Sequence, residues 1–344
     1  MDFLQLVFQI VVAVITFGLI IFIHELGHFL VAKSVGITVH EFALGMGPKL
    51  WSMKRGETTY ALRLVPIGGF VQMEGEDEES DKAGAFGSKK IWQRILVVVA
   101  GALMNILLGF LIILGLTISE DALSSSTIAV FDEAATSSSS LQVNDRILAI
   151  NGAKVHIGND IVFELLRDDD GAVDFTVLRD GQRLELPGVQ FETRKAEDGT
   201  NLISLDFKVY ALEKSARNVA LYSFYWTGGT VRQVWVSLFD LITGRYGLSQ
   251  LSGPVGVTTA IGQAATMGAQ SVLLLIALIT INVGVFNLLP VPALDGGRLV
   301  FLLIELIFRR PVPQKYEAYI HAAGMLLLFG LMIVVTFNDI IRLF

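Results

Sequence analysis

Four runs of this sequence, 3–23, 95–118, 272–293 and 318–337, are predominantly apolar. Each is long enough to cross a hydrocarbon core of about 30 Å, which takes roughly 20 residues of helix. Within that core no water is available to the backbone, so every N–H and C=O must be paired inside the segment, and each run is read as a spanning helix. Composition agrees: 53% of the residues are hydrophobic and 17% charged, with a mean hydropathy of +0.60, whereas soluble domains carry about 25% charge. The first run has no Lys or Arg ahead of it and ends in "HELGH", not in a small-residue cleavage site, so it reads as a retained span.

The connections orient the spans. Lys33, Lys49, Lys54, Arg55, Arg63, Lys82, Lys89, Lys90 and Arg94 all fall between the first two, which the positive-inside rule assigns to the cytoplasm, leaving the N-terminus outside. Within this segment "ETTYALRLVPIGGFVQMEG" (57–75) alternates apolar and polar residues on both sides of Pro66 and Gly68-Gly69, as a β-hairpin or loop-flanked strand pair would. The acidic run 74–81 reads as a solvated turn. From 120 to 213 the composition is that of a soluble α+β module: "LQVNDRILAINGAKV" and "VDFTVLRDGQRLELPGV" are strand-like with turns at Asn151-Gly152 and Asp180-Gly181, and "NDIVFELLRD" has helical spacing. The stretch 218–244 is long and aromatic but contains Gly228-Gly229, Arg232, Gln233 and Asp240, so it reads either as a fifth span or as an interfacial helix.

The chemistry lies at the end of the first span. On a helix, residues four apart share a face, so His24 and His28 of "HELGH" present two imidazoles to one point, with Glu25 beside them as a general base for water. Ionisable groups at membrane depth are costly and by default mark a functional site; the plainer reading is a buried hydrogen-bonded cluster. The chain has no cysteine, so further metal ligands must come from His, Asp or Glu. Asp295, the only carboxylate in or at the end of the third span, is the preferred third ligand for Zn²⁺, with His321 a weaker choice and helix capping near Arg298 the structural alternative for Asp295. Depth links the two halves of the site. In a four-span chain the first and third spans both run inward, bringing Asp295 level with the histidines, whereas a fifth span would move it across the bilayer. The pairing therefore assigns 218–244 to the interface, and Arg298, Arg309, Arg310 and Lys315 after the third span are then cytoplasmic. Asn287, Pro290 and Pro292 precede Asp295; prolines there interrupt a helix, and such backbone is tolerated only against protein or a water-filled cavity, where a peptide substrate would lie or where a simple kink would suffice.

With these residues in view, the sequence resembles the site-2 protease family of intramembrane zinc metalloproteases in its bacterial form. The resemblance rests on "HELGH", "RLVPIGGFVQMEGE" (63–76), "LSGPVGV" (251–257) and "NLLPVPALDGG" (287–297), in that order along most of the chain. It implies one zinc ion held by His24, His28 and Asp295, water activation by Glu25, a membrane-associated β-loop around Gly68, Gly69 and Phe70 that meets an extended substrate, and substrate-backbone contacts at Asn287, Pro290 and Pro292. It also implies a PDZ-like fold for the exported module, with Asn144-Asp145 where such domains usually carry Gly-Asp and with room for one such domain.

The fold expected is thus a polytopic α-helical membrane protein with four transmembrane helices, a cytoplasmic membrane-associated β-hairpin or loop and an extracytoplasmic α+β PDZ-like domain. Its segments are 1–32 (first helix), 33–94 (cytoplasmic loop), 95–118 (second helix), 120–213 (exported module), 214–270 (peripheral amphipathic segment), 271–297 (third helix with the LDG motif), 298–317 (cytoplasmic) and 318–341 (fourth helix). The function expected is zinc-dependent cleavage of single-span membrane proteins in the bacterial cytoplasmic membrane, with both termini outside and the active site near the cytoplasmic face. Anti-sigma factors and remnant signal peptides are the substrate types that the resemblance suggests. A non-proteolytic scaffold that binds exported peptides is the alternative, and a metal transporter a weaker one. The net charge of −7 and the lack of a basic recognition segment speak against a nucleic-acid partner.

Overall fold

The computed structural model describes residues 3–76, 80–195, 201–245, 247 and 251–342. Parts of the acidic run, of the module at 120–213 and of the segment 214–270, at 77–79, 196–200, 246 and 248–250, lie outside the described residues. The chain divides into two compact units, Met1–Ile112 with Thr230–Phe344, and Ile113–Gly229.

In the first unit, α1 (Phe3–Ser34) is followed by two long strands, β1 (Val39–Arg55) and β2 (Thr58–Met73), and by α2 (Ile91–Ser119). Helix α4 (Ala216–Ile242) begins within the second unit, and α5 (Pro254–Met267), α6 (Ala269–Asn287), α7 (Asp295–Phe308) and α8 (Gln314–Ile341) follow it in the first. Four helices among the described residues are long and apolar enough to cross a membrane: Val7–Ser34, Ile91–Ser119, Ala269–Asn287 and Lys315–Ile341. Gly27 lets α1 close on α2, since a Cβ there would strike the carbonyl of Ala100; small residues are how helices approach where lipid offers no hydrophobic drive.

The hairpin expected within 57–75 is instead one bent strand, β2, which continues through Pro66 and Gly68-Gly69 and pairs with β1 ahead of it. β1 and β2 turn into each other at Gly56, whose φ of +63° is a conformation glycine adopts without strain. Each strand then bends, so that Ala43 faces both Phe70 and Ala61, and Leu44 both Gly69 and Leu62. The first half of β1 is thereby flanked on both sides by halves of β2. This sheet packs on α1 through Phe42, which meets Phe22 at 5.8 Å and Phe29 at 5.2 Å between ring centroids, and through a buried cluster that includes Ile37, Val39, Val71, Met73 and Val97.

The segment 271–297, assigned to the third helix with an interruption at its prolines, is divided in the structure. Helix α6 stops at Asn287 and a separate helix, α7, opens at Asp295. Pro290 and Pro292 account for the break: neither has an N–H to donate, and each pushes the residue before it out of the helical region. The segment 298–317 is accordingly mostly helix.

The described residues of 214–270 include two whole helices, α4 and α5, and the start of α6. α5 packs against α1, α6 and α8. Gln9 of α1 fills the space at Gly262, about 22 Å along α1 from His24 at 1.5 Å per residue. Gly253 and Gly256 donate their N–H groups to the buried carboxylate of Asp339 on α8, at 3.2 and 2.8 Å. Gly324, in the first half of α8, lies against Pro292. Helix α5 therefore lies at the end of this helical unit remote from the histidines.

In the second unit β3 (Leu123–Phe131), β4 (Arg146–Ile150), β5 (Ala153–Lys154), α3 (Gly158–Leu166), β6 (Ala172–Arg179), β7 (Gln182–Gln190), β8 (Thr193–Lys195), β9 (Asn201–Ile203) and β10 (Phe207–Leu212) follow in order. The main sheet runs β10-β3-β4-β6-β7, with β5 on β4. Its two tight turns are Asn151-Gly152, at φ 48° and 78°, and Asp180-Gly181, at φ 49° and 80°; positive φ at both positions is what a type I′ hairpin needs. Phe175, Val177, Ile147, Ile150 and Ile128 fill the core.

Replacing Asp339 by Ala removes both acceptors at the start of α5. Loss of about 1–3 kcal/mol of stability is expected, read as a lower unfolding midpoint together with faster amide exchange across 253–260; unchanged exchange there would mean that the carboxylate does not hold the helix.

Candidate metal centre

Helix α1 carries His24, Glu25 and His28 in its last third, and α7 begins with Asp295. Nε2 of His24 lies 3.2 Å from Nε2 of His28. Asp295 Oδ2 lies 3.2 Å from the first nitrogen and 3.3 Å from the second. Three ligand atoms thus form a nearly equilateral triangle. A tetrahedral zinc ion with bonds of about 2.0–2.1 Å separates its ligand atoms by about 3.3 Å, so the donor set matches that ion in type and in spacing. Oδ2 of Asp295 is buried without a hydrogen-bond partner, as expected of an atom whose partner is a cation.

The second ring nitrogens are held by α2. Nδ1–H of His28 donates to the carbonyl of Val97 at 2.8 Å, which leaves the Nε2 lone pair facing the triangle. Nδ1 of His24 faces the amide of Asn105 at 3.4 Å. Between these two, Gly101 has no room for a Cβ, which would strike Nε2 of His28 and lie 2.8 Å from Cε1 of His24. None of these α2 residues is singled out in the reading of the sequence. A signal exists, however, because Asn105 is an isolated amide within an apolar span.

Asp295 reaches the histidines because the chain leaves α6 and re-enters α7 from a tight loop. Ala293 has φ +76° and donates its N–H to Nδ1 of His321 at 2.9 Å. His321 is therefore engaged with the loop that carries Asp295 and stands outside the triangle, its Nε2 3.8 Å from Glu317. Asp295 does not cap α7: Leu294 holds the N-cap position, and Asp295 is the first helical residue, where a carboxylate suits the positive end of the helix dipole and its Oδ2 faces the imidazoles.

The sheet brings a further predicted residue to the site. Gly69 of β2 backs onto Glu25; a Cβ there would sit 3.0 Å from Glu25 Cγ and 3.0 Å from Ile21 Cγ2. Phe70 lies under the guanidinium of Arg63, 5.0 Å from ring centroid to Cζ. Gly68, at φ +84°, meets Met46. Burial disfavours the charged form of Glu41 on β1, but hydrogen bonds from Lys49 and Arg63 outweigh it and hold the carboxyl below its usual range. Asn287 ends α6, Pro290 lies in the loop, and Pro292 packs on Gly324 of α8. No described contact joins these three to the histidines.

A family model described as Peptidase family M50 matches residues 12–331. Among curated proteins the chain is 38% identical to a putative zinc metalloprotease of Clostridium perfringens, over 96% of this chain and 98% of that protein. It is 34% identical to a putative zinc metalloprotease of Fusobacterium nucleatum, over 97% and 98% of the two chains. It is 32% identical to the regulator of sigma-W protease RasP of Bacillus subtilis, over 97% and 99%.

Gly101→Ala forces the two imidazoles apart. Metal analysis of the purified variant is expected to give at least about tenfold weaker zinc binding. Gly115→Ala on the same helix, where a Cβ meets nothing within 4 Å, is expected to bind like the parent; equal binding by both variants would contradict the packing described.

Proposed function

Because the chain belongs to peptidase family M50, and is a zinc-dependent metalloendopeptidase of the site-2 protease type, we propose that it cleaves the membrane-spanning segments of single-span membrane proteins using His24, His28, Asp295 and Glu25. The observation that carries this reading is the triangle of two imidazole nitrogens and one orphaned carboxylate oxygen, at 3.2–3.3 Å, with Glu25 next in sequence to His24.

His24, His28 and Asp295 are the proposed zinc ligands. Zinc held there supplies a Lewis acid for the scissile carbonyl and lowers the pKa of the attacking water toward neutrality. Glu25 takes the proton released as that water adds to the carbonyl carbon, and returns it to the amide nitrogen as the C–N bond breaks. A substrate helix must first unwind, because its carbonyls are already hydrogen-bonded. The β2 segment around Gly68, Gly69 and Phe70 is the proposed receiver of the extended segment by strand addition; Gly69, lacking a side chain, lets that strand run close to Glu25. Asn287, Pro290 and Pro292 are proposed to contact the substrate backbone on the other side.

The distribution of Lys and Arg supports a bacterial membrane topology with both termini outside and this site near the cytoplasmic face. On the same reading, the sheet module of the second unit is extracytoplasmic and PDZ-like. Substrates already trimmed outside suit such an enzyme. The sigma-W function in the name of the Bacillus subtilis relative favours an anti-sigma factor, with remnant signal peptides as the other type.

Glu25→Gln keeps the side chain's shape and the three ligands but removes the base. Cleavage of a membrane-anchored reporter is expected to fall by about 10²–10⁴-fold, with zinc content unchanged. Retained turnover in that variant would sink the assignment. Chelation is expected to abolish cleavage in the parent, and added zinc to restore it.

A further inference from the structure

Val97, Gly101 and Asn105 recur every four residues on α2 and so share one face of it. That face runs along His24 and His28 in the opposite order: Val97 meets His28, Gly101 meets both rings, and Asn105 meets His24. For His28 the tautomer is set by a backbone carbonyl, which can only accept. For His24 the facing group is a carboxamide, which can do either.

We propose that Asn105 is a positioning residue for zinc binding: its Oδ1 accepts Nδ1–H of His24 and so keeps the lone pair of Nε2 on the metal. The inference rests on His24 being a ligand, as proposed above.

The chemistry of the amide leads to this. With Nδ2 toward the imidazole, at 3.4 Å, the amide donates to Nδ1 and Oδ1 is left buried with no partner, on a residue with no exposed surface. In that arrangement the ring proton is on Nε2 and points at Asp295 Oδ2, 3.2 Å away. A histidine that ligates through Nε2 carries its proton on Nδ1 instead, and an amide N–H facing that proton would repel it. Rotating the carboxamide by a half turn puts the acceptor on the proton, a choice set by the hydrogen-bonding partners. The residue is held in place for the task. Its backbone carbonyl accepts the hydroxyl of Thr280 on α6 at 3.3 Å, and Gly284 of the same helix closes over its Cβ. No other side chain has a described hydrogen bond to Nδ1 of His24.

The test is the zinc dissociation constant of the full-length protein in detergent, measured by chelator competition. Asn105→Leu, similar in size but without an acceptor, is expected to weaken binding by about 10–100-fold. Asn105→Asp, which retains an acceptor and strengthens it, is expected to bind at least as tightly as the parent. Each variant decides separately: parental affinity in Asn105→Leu, or binding weaker than the parent's in Asn105→Asp, overturns the proposal. Should Asn105→Leu not fold, the Asp variant alone decides: affinity at or above the parent's supports the role, and weaker binding overturns it. His24→Ala separates this from the reading beneath it, because a parent that binds no zinc, or a His24→Ala protein that binds as well as the parent, removes the metal site itself and not only its support.

Discussion

Two imidazole nitrogens and a carboxylate oxygen, 3.2–3.3 Å apart within a bundle of apolar helices, impose the constraint on which the rest of the structure depends. Three polar groups are costly at such a place unless a common partner satisfies them together. Holding them together requires α1 and α7 to meet at one level, and the fold around them serves that requirement. α2 brings a stripe without bulk, Gly101, against the rings, and ends of hydrogen bonds, the Val97 carbonyl and the Asn105 amide, on either side of it. A larger residue at 101 and a rigid imidazole at 24 or 28 cannot occupy the same space.

The route by which Asp295 arrives follows from the same demand. A continuous helix through 271–297 would fix each side chain at about 100° intervals along one axis, with the backbone already paired. Stopping α6 at Asn287 and starting α7 at Asp295 frees a short loop. In it Ala293 adopts φ +76° and is tied to His321, so that the carboxylate emerges at a helix start. The two prolines are the local cause of the break, and the long-range link to α8 determines where it leads. His321, a weaker choice for the third ligand in the sequence, acts in the structure on the backbone of the loop that carries the preferred one.

The sheet and the site are similarly joined. Phe22, Phe29 and Phe42 fasten the sheet to α1, one face of which also carries the histidines. Gly69 then falls beside Glu25 with no side chain between them. Alternation in 57–75 made a strand legible there, but the partner strand beginning at Val39 was not, since "VHEFALGMGPKLWSMKR" mixes glycines with apolar runs and obeys no single period. The hinge at Gly56 and the double flanking of the first half of β1 are products of long-range pairing, which local pattern does not encode. In the second unit, by contrast, Asn151-Gly152 and Asp180-Gly181 were legible as turns because the residues that tolerate positive φ are few. Asn144 is of the same kind: it takes φ 73° where glycine is the usual residue, and the neighbouring Asp145 is clamped by Arg179 through two 2.7 Å hydrogen bonds.

The sequence by itself determined the membrane class, the four spans, the strand-rich module and the residue types of the proposed site. Those depend on hydropathy, helical period and donor chemistry, which are carried by neighbours in the chain. It also suggested that residues 218–244 are not a span, by the need for two distant segments to share a depth, and the described helices long and apolar enough to cross a membrane do not include α4. Only the tertiary structure decided that α7 starts at Asp295 itself, that His321 faces Ala293, that α5 lies at the remote end of its unit, and that Val97, Gly101 and Asn105 back the histidines. Each of these is a contact between elements far apart in sequence, and its geometry comes from the packing of whole helices, where the identity of either residue alone is not enough to predict the other.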